Sequence, residues 1–318
     1  MIITELTVAK GILDQGKLLA IPTETVYGLA ANAFDGSAIA QIYAVKNRPQ
    51  FNPLILHSNS LERFQSWGIH LPKEALKLAQ TYSPGPITFV VPKSNRIPDI
   101  VTAGHSTVAI RIPNHELTLA LLQMLNYPLA APSANLSGTV SPTTAQHVAQ
   151  QLGHLIEGVL EGGPCQIGLE STIVSFVNEK PQLLRLGGLS VEAIESVLGL
   201  NLNLNAIINN ENPQAPGMLS KHYAPAIKLR IGKPQDFSNA YSFAEMAYIA
   251  FNEPHPQIPL SQQFILSPKG NLVEAAQKLF AALKQADQLP VKIIVAALFP
   301  NEHLGRAIND RLSRAARN

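Results

Sequence analysis

A mixed α/β fold in two domains is what this 318-residue chain predicts, and three observations lead there. Short apolar runs of strand length alternate with stretches of helical period up to about residue 195. The alternation lapses over residues 201 to 225, NLNLNAIINNENPQAPGMLSKHYAP, which are rich in Asn and Pro and without periodicity. It then restarts. The expected organisation is a domain over residues 1 to 195, a linker over 196 to 225, and a smaller domain over 226 to 318.

In the first part, KLLAIP, PLILH, ITFVVP, TVAIRIP, YPLAAPS, STIVSFV and QLLRLGG read as strands. A helix over SAIAQIYAVK follows the first of them, because Ile39, Ile42, Tyr43 and Lys46 recur at i, i+3, i+4 and i+7. After the linker come IKLRIG, MAYIAF, FILSP and VKIIVAALF, with helices over NLVEAAQKLFAALKQ and HLGRAINDRLSRAA. Asn271 caps the first of these ahead of Leu272, Ala275, Ala276, Leu279, Phe280 and Leu283, which keep the helical period. Such alternation predicts a small parallel α/β domain. No internal repeat is present.

Composition narrows the function. Lys and Arg total 24 against 22 acids, a formal charge of +2, too balanced for a protein whose main task is neutralising nucleic acid. Aromatics at 6% are thin for base-stacking platforms. The single cysteine, Cys165, excludes an intrachain disulfide and a thiolate zinc site, and fits a reducing compartment. The opening MIITELTVAKGILDQGK does not read as a signal peptide, and no run of about 18 apolar residues suggests a membrane span. A cytoplasmic protein without membrane association is expected. P-loop, dinucleotide-binding, zincin and serine-hydrolase motifs do not occur.

Four stretches carry chemistry. In KNRPQFNPLILH, Lys46 falls in the last turn of its helix, Asn47 suits a left-handed cap, and Pro49 and Pro53 stiffen the exit around Arg48 and Asn52. The cations serve either an anion or simply a helix C-terminus and solvent. In TVAIRIP, Val108, Ile110 and Ile112 point one way, while Thr107, Ala109 and Arg111 point the other, leaving room above the alanine. Arg111 suits bidentate recognition of carboxylate or phosphate, or a structural ion pair. In PLAAPSANLSGTVSPTTAQHVAQQL, Ser141 reads as an N-cap with Pro142 at the first helical position, a natural phosphate seat, with Ser133 and Asn135 as added donors. In PTETVYGLA and GLEST, Thr25 and Ser171 stand beside turns, and Arg185 in QLLRLGG needs an anion or a protein partner.

Together these stretches resemble the Sua5/YrdC family, the L-threonylcarbamoyladenylate synthases of tRNA N6-threonylcarbamoyladenosine formation. PTETVYGLAA, KNRP with FNPLILH, SPGPITFVV, TVAIRIPNH, APSANLSGTVSPT, GLESTIV and LLRLGG carry the resemblance over residues 5 to 190. PGMLSKHYAP and GRAINDRLSRAA extend it to the longer, two-domain form. The resemblance implies a twisted mixed sheet with helices around a concave basic cleft, plus a small Rossmann-like C-terminal domain. It implies a nucleotidyltransferase that joins L-threonine, bicarbonate and ATP into threonylcarbamoyl-AMP and pyrophosphate, with Mg2+ accompanying ATP.

The residue roles it implies are a threonine pocket of Thr25, His57, Arg111, Ser171 and backbone near Ala131. For ATP they are Arg48, Asn52, Thr107, Ser133, Ser141, Arg185 and Tyr223, with Lys46 and Asn135 along the phosphates. Tyr223 would make the linker a lid. Ala30 stands where relatives often have Gly. Glu24 and Glu170 are assigned to no metal. tRNA or double-stranded RNA and a downstream threonylcarbamoyl-transferase complex are the implied macromolecular partners. The residues themselves leave open an RNA-binding module or a serine acyl-transfer enzyme using Ser133. Arg306, Arg311, Arg314 and Arg317 on the last helix read as a solvated face.

Overall fold

The computed structural model describes residues 1 to 178, 180 to 202, 213 to 218 and 222 to 317, so part of the linker lies outside the described residues. The apolar runs of the first part join one mixed sheet. Its order is Ile2–Ile3, Gly158–Leu160, Leu19–Ile21, Gly28–Asn32, Leu129–Ala130, Ile55–His57, Thr107–Arg111, Ile87–Pro92, Thr172–Ser175 and Gln182–Arg185. The second part forms a parallel sheet ordered Leu229–Ile231, Ile293–Ala296, Met246–Ala250 and Gln263–Ile265.

Thr107–Arg111 lies inside the large sheet, parallel to Ile55–His57 and antiparallel to Ile87–Pro92, with His57 opposite Arg111 in register. Alternation along the strand does what its sequence predicts. Val108 and Ile110 join the main core with Ile42, Phe64 and Phe89. Ala109 faces the other way, with Ile55, Val90, Ile173 and Leu184. The room above this alanine is taken by Ala215 and Met218 of the linker, both buried. Ala30 points its methyl into a separate core with Leu13, Leu121 and Leu129.

Helix ends place the polar loops. Asp35 accepts from the Ser37 and Ala38 amides to start Gly36–Lys46, and Asn47 at φ 50 ends it in the predicted left-handed cap. Asn271 likewise starts Leu272–Ala286. Ser141 is no cap. The helix after it is Ala145–Leu152, and Thr144 accepts from the His147 amide. Residues 141 to 143 are held outside it because the Pro142 carbonyl accepts from the Tyr27 amide and the Thr143 carbonyl from the Cys165 amide. The helix Val191–Leu198 ends at left-handed Gly199, so the linker boundary drawn at 196 falls in its last turn.

The two domains pack against each other closely. Val26, Val140, Leu169 and Tyr223 join the C-terminal core of Leu279, Phe280, Leu283 and Leu312. Gly168 sits at φ +75, where any added Cβ would stand 2.5 Å from the Gln277 carbonyl oxygen of the C-terminal helix. The last helix, His303–Ala315, turns Arg311 and Arg314 inward, contrary to the solvated face expected of them, while Arg306 is part-exposed and Arg317, just beyond the helix, is exposed as expected. Arg311 is 0% exposed and Arg314 1%, while Arg306 reaches Glu192 of the first domain at 3.2 Å. Helical spacing alone cannot reveal an acid supplied by another domain. Among the described residues, no helix is long and apolar enough to cross a membrane.

Candidate functional site

Three arginines from distant parts of the chain converge on one cavity of about 50 Å³ at the back of the large sheet. Its walls include Arg48, His57, Arg111, Ala131, Ser133, Ser171 and Arg185, and the linker closes it with Pro216, Gly217, His222 and Tyr223. Each cation is oriented by protein acceptors. Arg48 donates Nε to the Asn52 carbonyl (3.1 Å) and Nη2 to the Pro53 carbonyl (2.8 Å), the exit that the two prolines stiffen. Arg111 donates Nε to Gly85 O (3.2 Å) and Nη2 to Thr25 Oγ1 (2.9 Å), and its Nη2 also lies 2.8 Å from Glu24. Neither Arg48 nor Arg111 has a protein acceptor for Nη1 among the described residues. Arg185 donates Nε and Nη2 to Ser171 and gives Nη1 to the linker's Pro216 carbonyl at 3.2 Å.

The hydroxyls form relays. Thr23 Oγ1 donates to the Val26 carbonyl, so it accepts from Thr25, which in turn accepts from Arg111. Ser171 Oγ meets Thr88 Oγ1 at 2.7 Å and receives Arg185. Thr23 lines the cavity and was not singled out in the sequence; its signal was the Thr-x-Thr spacing of PTET.

Burial sets the charges. It pulls Arg48 and Arg185 down to about 10, still cationic at neutral pH. Burial and then Arg111 push His57 down to about 3, and burial pushes His222 to about 3, so both rings are neutral. The His57 Nδ1 sits 3.1 Å from the Ile55 carbonyl. Burial raises Glu170, but Arg311 and then Arg185 outweigh it and hold the carboxyl at about 2. Among the described residues, Lys46, Arg48 and Arg185 form no salt bridge.

Other residues expected at the site stand behind its walls. Lys46 is 1% exposed and donates to the Ser133 carbonyl (2.5 Å) and to the Asn135 carbonyl. It holds the Ser-Ala-Asn loop from behind instead of facing the cavity, and burial, then Arg48, lower its pKa. Asn135 donates its amide nitrogen to the Leu136 and Thr139 carbonyls. Asn52 acts on Arg48 through its backbone. Ser141 gives its hydroxyl hydrogen to Glu170 at 3.0 Å, and Thr25 acts through Arg111. Thr107, half-buried at the far end of its strand, is not among the cavity residues. Glu170 and His222 do line it, and neither was given a role from sequence.

Tyr223 is 1% exposed. Its ring stacks on Phe280 at 5.5 Å and 22°, Arg311 lies over it at 5.0 Å, and His222 packs edge-on at 4.1 Å. Two C-terminal residues, Phe280 and Arg311, thus seat this linker tyrosine.

A family profile of the Sua5, YciO and YrdC proteins, described as "Telomere recombination", matches residues 11–187. A second, "Threonylcarbamoyl-AMP synthase, C-terminal domain", matches 189–317. The chain is 38% identical to the threonylcarbamoyl-AMP synthase of Pyrococcus abyssi, over 98% of this chain and 94% of that one. It is 39% identical to the Bacillus subtilis protein of the same name, over 97% and 92%. A crystal structure of P. abyssi Sua5 complexed with L-threonine superposes with a TM-score of 0.88 at 36% identity, covering 98% of this chain and 94% of that one. Escherichia coli YciO, at 21% identity and a TM-score of 0.53 over 57% of this chain and 88% of that one, shares the fold of the first domain.

Proposed function

The chain belongs to the Sua5/YrdC family in its two-domain form, and we propose that it is a threonylcarbamoyl-AMP synthase. It would join L-threonine, bicarbonate-derived CO2 and ATP, the first step of tRNA N6-threonylcarbamoyladenosine formation. The observation that carries this reading is the set of three buried arginines on one cavity: among the described residues two have no protein acceptor at Nη1, and the third is engaged there by the linker. That arrangement suits a small carboxylate and a polyphosphate side by side. The P. abyssi relative crystallised with L-threonine supports the amino-acid half.

In this reading the amine of threonine adds to CO2, forming a C–N bond and releasing a proton, which gives an N-carboxylate. One carboxylate oxygen then attacks the α-phosphorus of ATP. The new P–O bond forms as the bond to the β-phosphate oxygen breaks, and pyrophosphate departs with that electron pair. Arg111 would clamp the threonine carboxylate through Nη1 while the Gly85 carbonyl and Thr25 hold the guanidinium and Glu24 balances its charge. Ser171 and neutral His57 lie beside it as polar contacts for the amino acid. Arg48 and Arg185 would meet the phosphates together with the Ser133 loop, which Lys46 braces. The work is positioning and fixed positive charge, so no covalent nucleophile is required.

Mg2+ would enter with the triphosphate as part of the substrate. Among the described residues no cluster of three His, Cys, Asp or Glu could hold a metal ion, and Glu170 is engaged by Ser141 and Arg311. The closed linker would keep water from the carbamate and the mixed anhydride. The test is pyrophosphate release from ATP and Mg2+ with threonine and bicarbonate each omitted in turn. Release that needs both supports the reading; release that needs neither, or none, sinks it.

A further inference from the structure

Glu170 is held from both domains. Its Oε1 accepts from Ser141 Oγ at 3.0 Å and its Oε2 from Arg311 Nε at 3.0 Å, across 141 positions of sequence. Arg311 is in turn oriented by the Leu186 carbonyl through Nη2 and by Asp310 through Nη1, both at 2.6 Å. Its guanidinium covers Tyr223 at 5.0 Å. Arg185 lines the same cavity as Glu170 yet makes no ion pair with it, giving its donors to Ser171 and Pro216.

We propose that Arg311 is a positioning residue through which the C-terminal domain completes the nucleotide site: it takes the charge of Glu170, leaving Arg185 for the substrate's phosphates, and seats Ser141 and Tyr223. The proposal rests on the synthase reading. A buried carboxylate demands a cation, and leaving one uncompensated is strongly destabilising. Without Arg311, a cation able to answer Glu170 is Arg185, which lines the same cavity. An Arg185 drawn onto Glu170 would have its charge neutralised and be lost to a phosphate. The last helix therefore serves the chemistry without touching a substrate.

The test uses the full chain and three variants: Arg311→Met, Arg311→Lys, and Arg311→Met combined with Glu170→Gln. KM for ATP and for threonine, kcat, and ATP affinity by calorimetry are measured for each. Arg311→Met is expected to raise KM for ATP by about tenfold or more while KM for threonine moves far less. Arg311→Lys restores part of the loss, and the double variant recovers most of it, because the charge that captures Arg185 is gone. An unchanged KM for ATP in Arg311→Met, or a double variant no better than the single one, overturns the proposal. If Arg311→Met does not fold, the double variant decides. A double variant that folds and binds ATP supports the charge account, and one that stays unfolded assigns Arg311 to domain docking alone and overturns it. A wild-type chain with no threonine-dependent pyrophosphate release sinks the synthase reading instead, and calorimetric ATP affinity still decides Arg311.

Discussion

Arg185 gives its Nη1 hydrogen to the carbonyl of Pro216, 3.2 Å away, so the linker occupies the edge of a cation that the proposed reaction assigns to phosphate. The neighbouring Gly217 sits at φ +84, and a Cβ there would stand 2.7 Å from Arg185 Cδ. In the proposed reaction the linker carbonyl and a phosphate would compete for one guanidinium edge, and closure over a bound nucleotide would require Arg185 to exchange one acceptor for the other.

Gly217→Ala follows from that contact. A side chain at this φ is strained and would press on Arg185, so the closed linker is destabilised by roughly 1 kcal/mol or more. The expected outcome is faster nucleotide release and lower kcat with the fold intact. Stopped-flow displacement of a fluorescent ATP analogue checks it; an unchanged release rate would remove the linker from the gating role.

Arg111 separates the two substrates. Arg111→Lys keeps a charge near Glu24 but loses the planar fork, so KM for threonine is expected to rise by about a hundredfold, with KM for ATP within a few fold. Threonine and ATP titrations on one preparation check this. Arg111→Ala is the poorer probe, because it strands the Glu24 carboxylate at a cost of about 3 to 5 kcal/mol.

Lys46→Met tests bracing against direct contact. It deprives the half-buried Ser133 and buried Asn135 carbonyls of their shared donor, at a cost of roughly 2 kcal/mol in stability. The thermal midpoint should fall together with ATP affinity. A variant of wild-type stability that had lost only ATP affinity would instead place the ammonium on the phosphates.

Acid should weaken the fold in two stages. His57 and His222 are pushed down to about 3 in the folded chain, against an ordinary value near 6.5, so the unfolded chain binds more protons as pH falls below that value. Their contribution is complete above about pH 7 and declines below it. Glu170, held at about 2, adds a contribution present above about pH 4.5 and lost as pH falls toward 2. Urea midpoints at pH 7, 6 and 5 should fall steadily, and His222→Gln should flatten that slope. An unaltered slope in the variant would exclude His222 as its source.

Much of the site was legible residue by residue. Arg48 stood in a proline-stiffened exit, Arg111 on the polar side of an apolar strand, and Arg185 in an apolar run that demanded a partner; all three reach the cavity. The Asn47 and Asn271 caps were legible too, because a cap is a local hydrogen bond. Ser141 was misread as a cap because Thr144 offers the same chemistry three residues later, and only the bonds from Tyr27 and Cys165 choose between them. Lys46 looked like a phosphate ligand because nothing local announces that two carbonyls from residues 133 and 135 will meet it.

The sequence by itself determined the strand alternation, the helix ends at Asn47 and Asn271 and the cations that had to find partners, since each depends on spacing of a few residues and on the cost of burying charge. Only the tertiary structure decided which acid answers which arginine, that the last helix turns Arg311 and Arg314 inward, and that Phe280 and Arg311 form the seat of Tyr223. Those outcomes depend on packing between residues more than a hundred positions apart in the case of Glu170 and Arg311, where burial and charge are properties of the assembled interface and of neither segment alone.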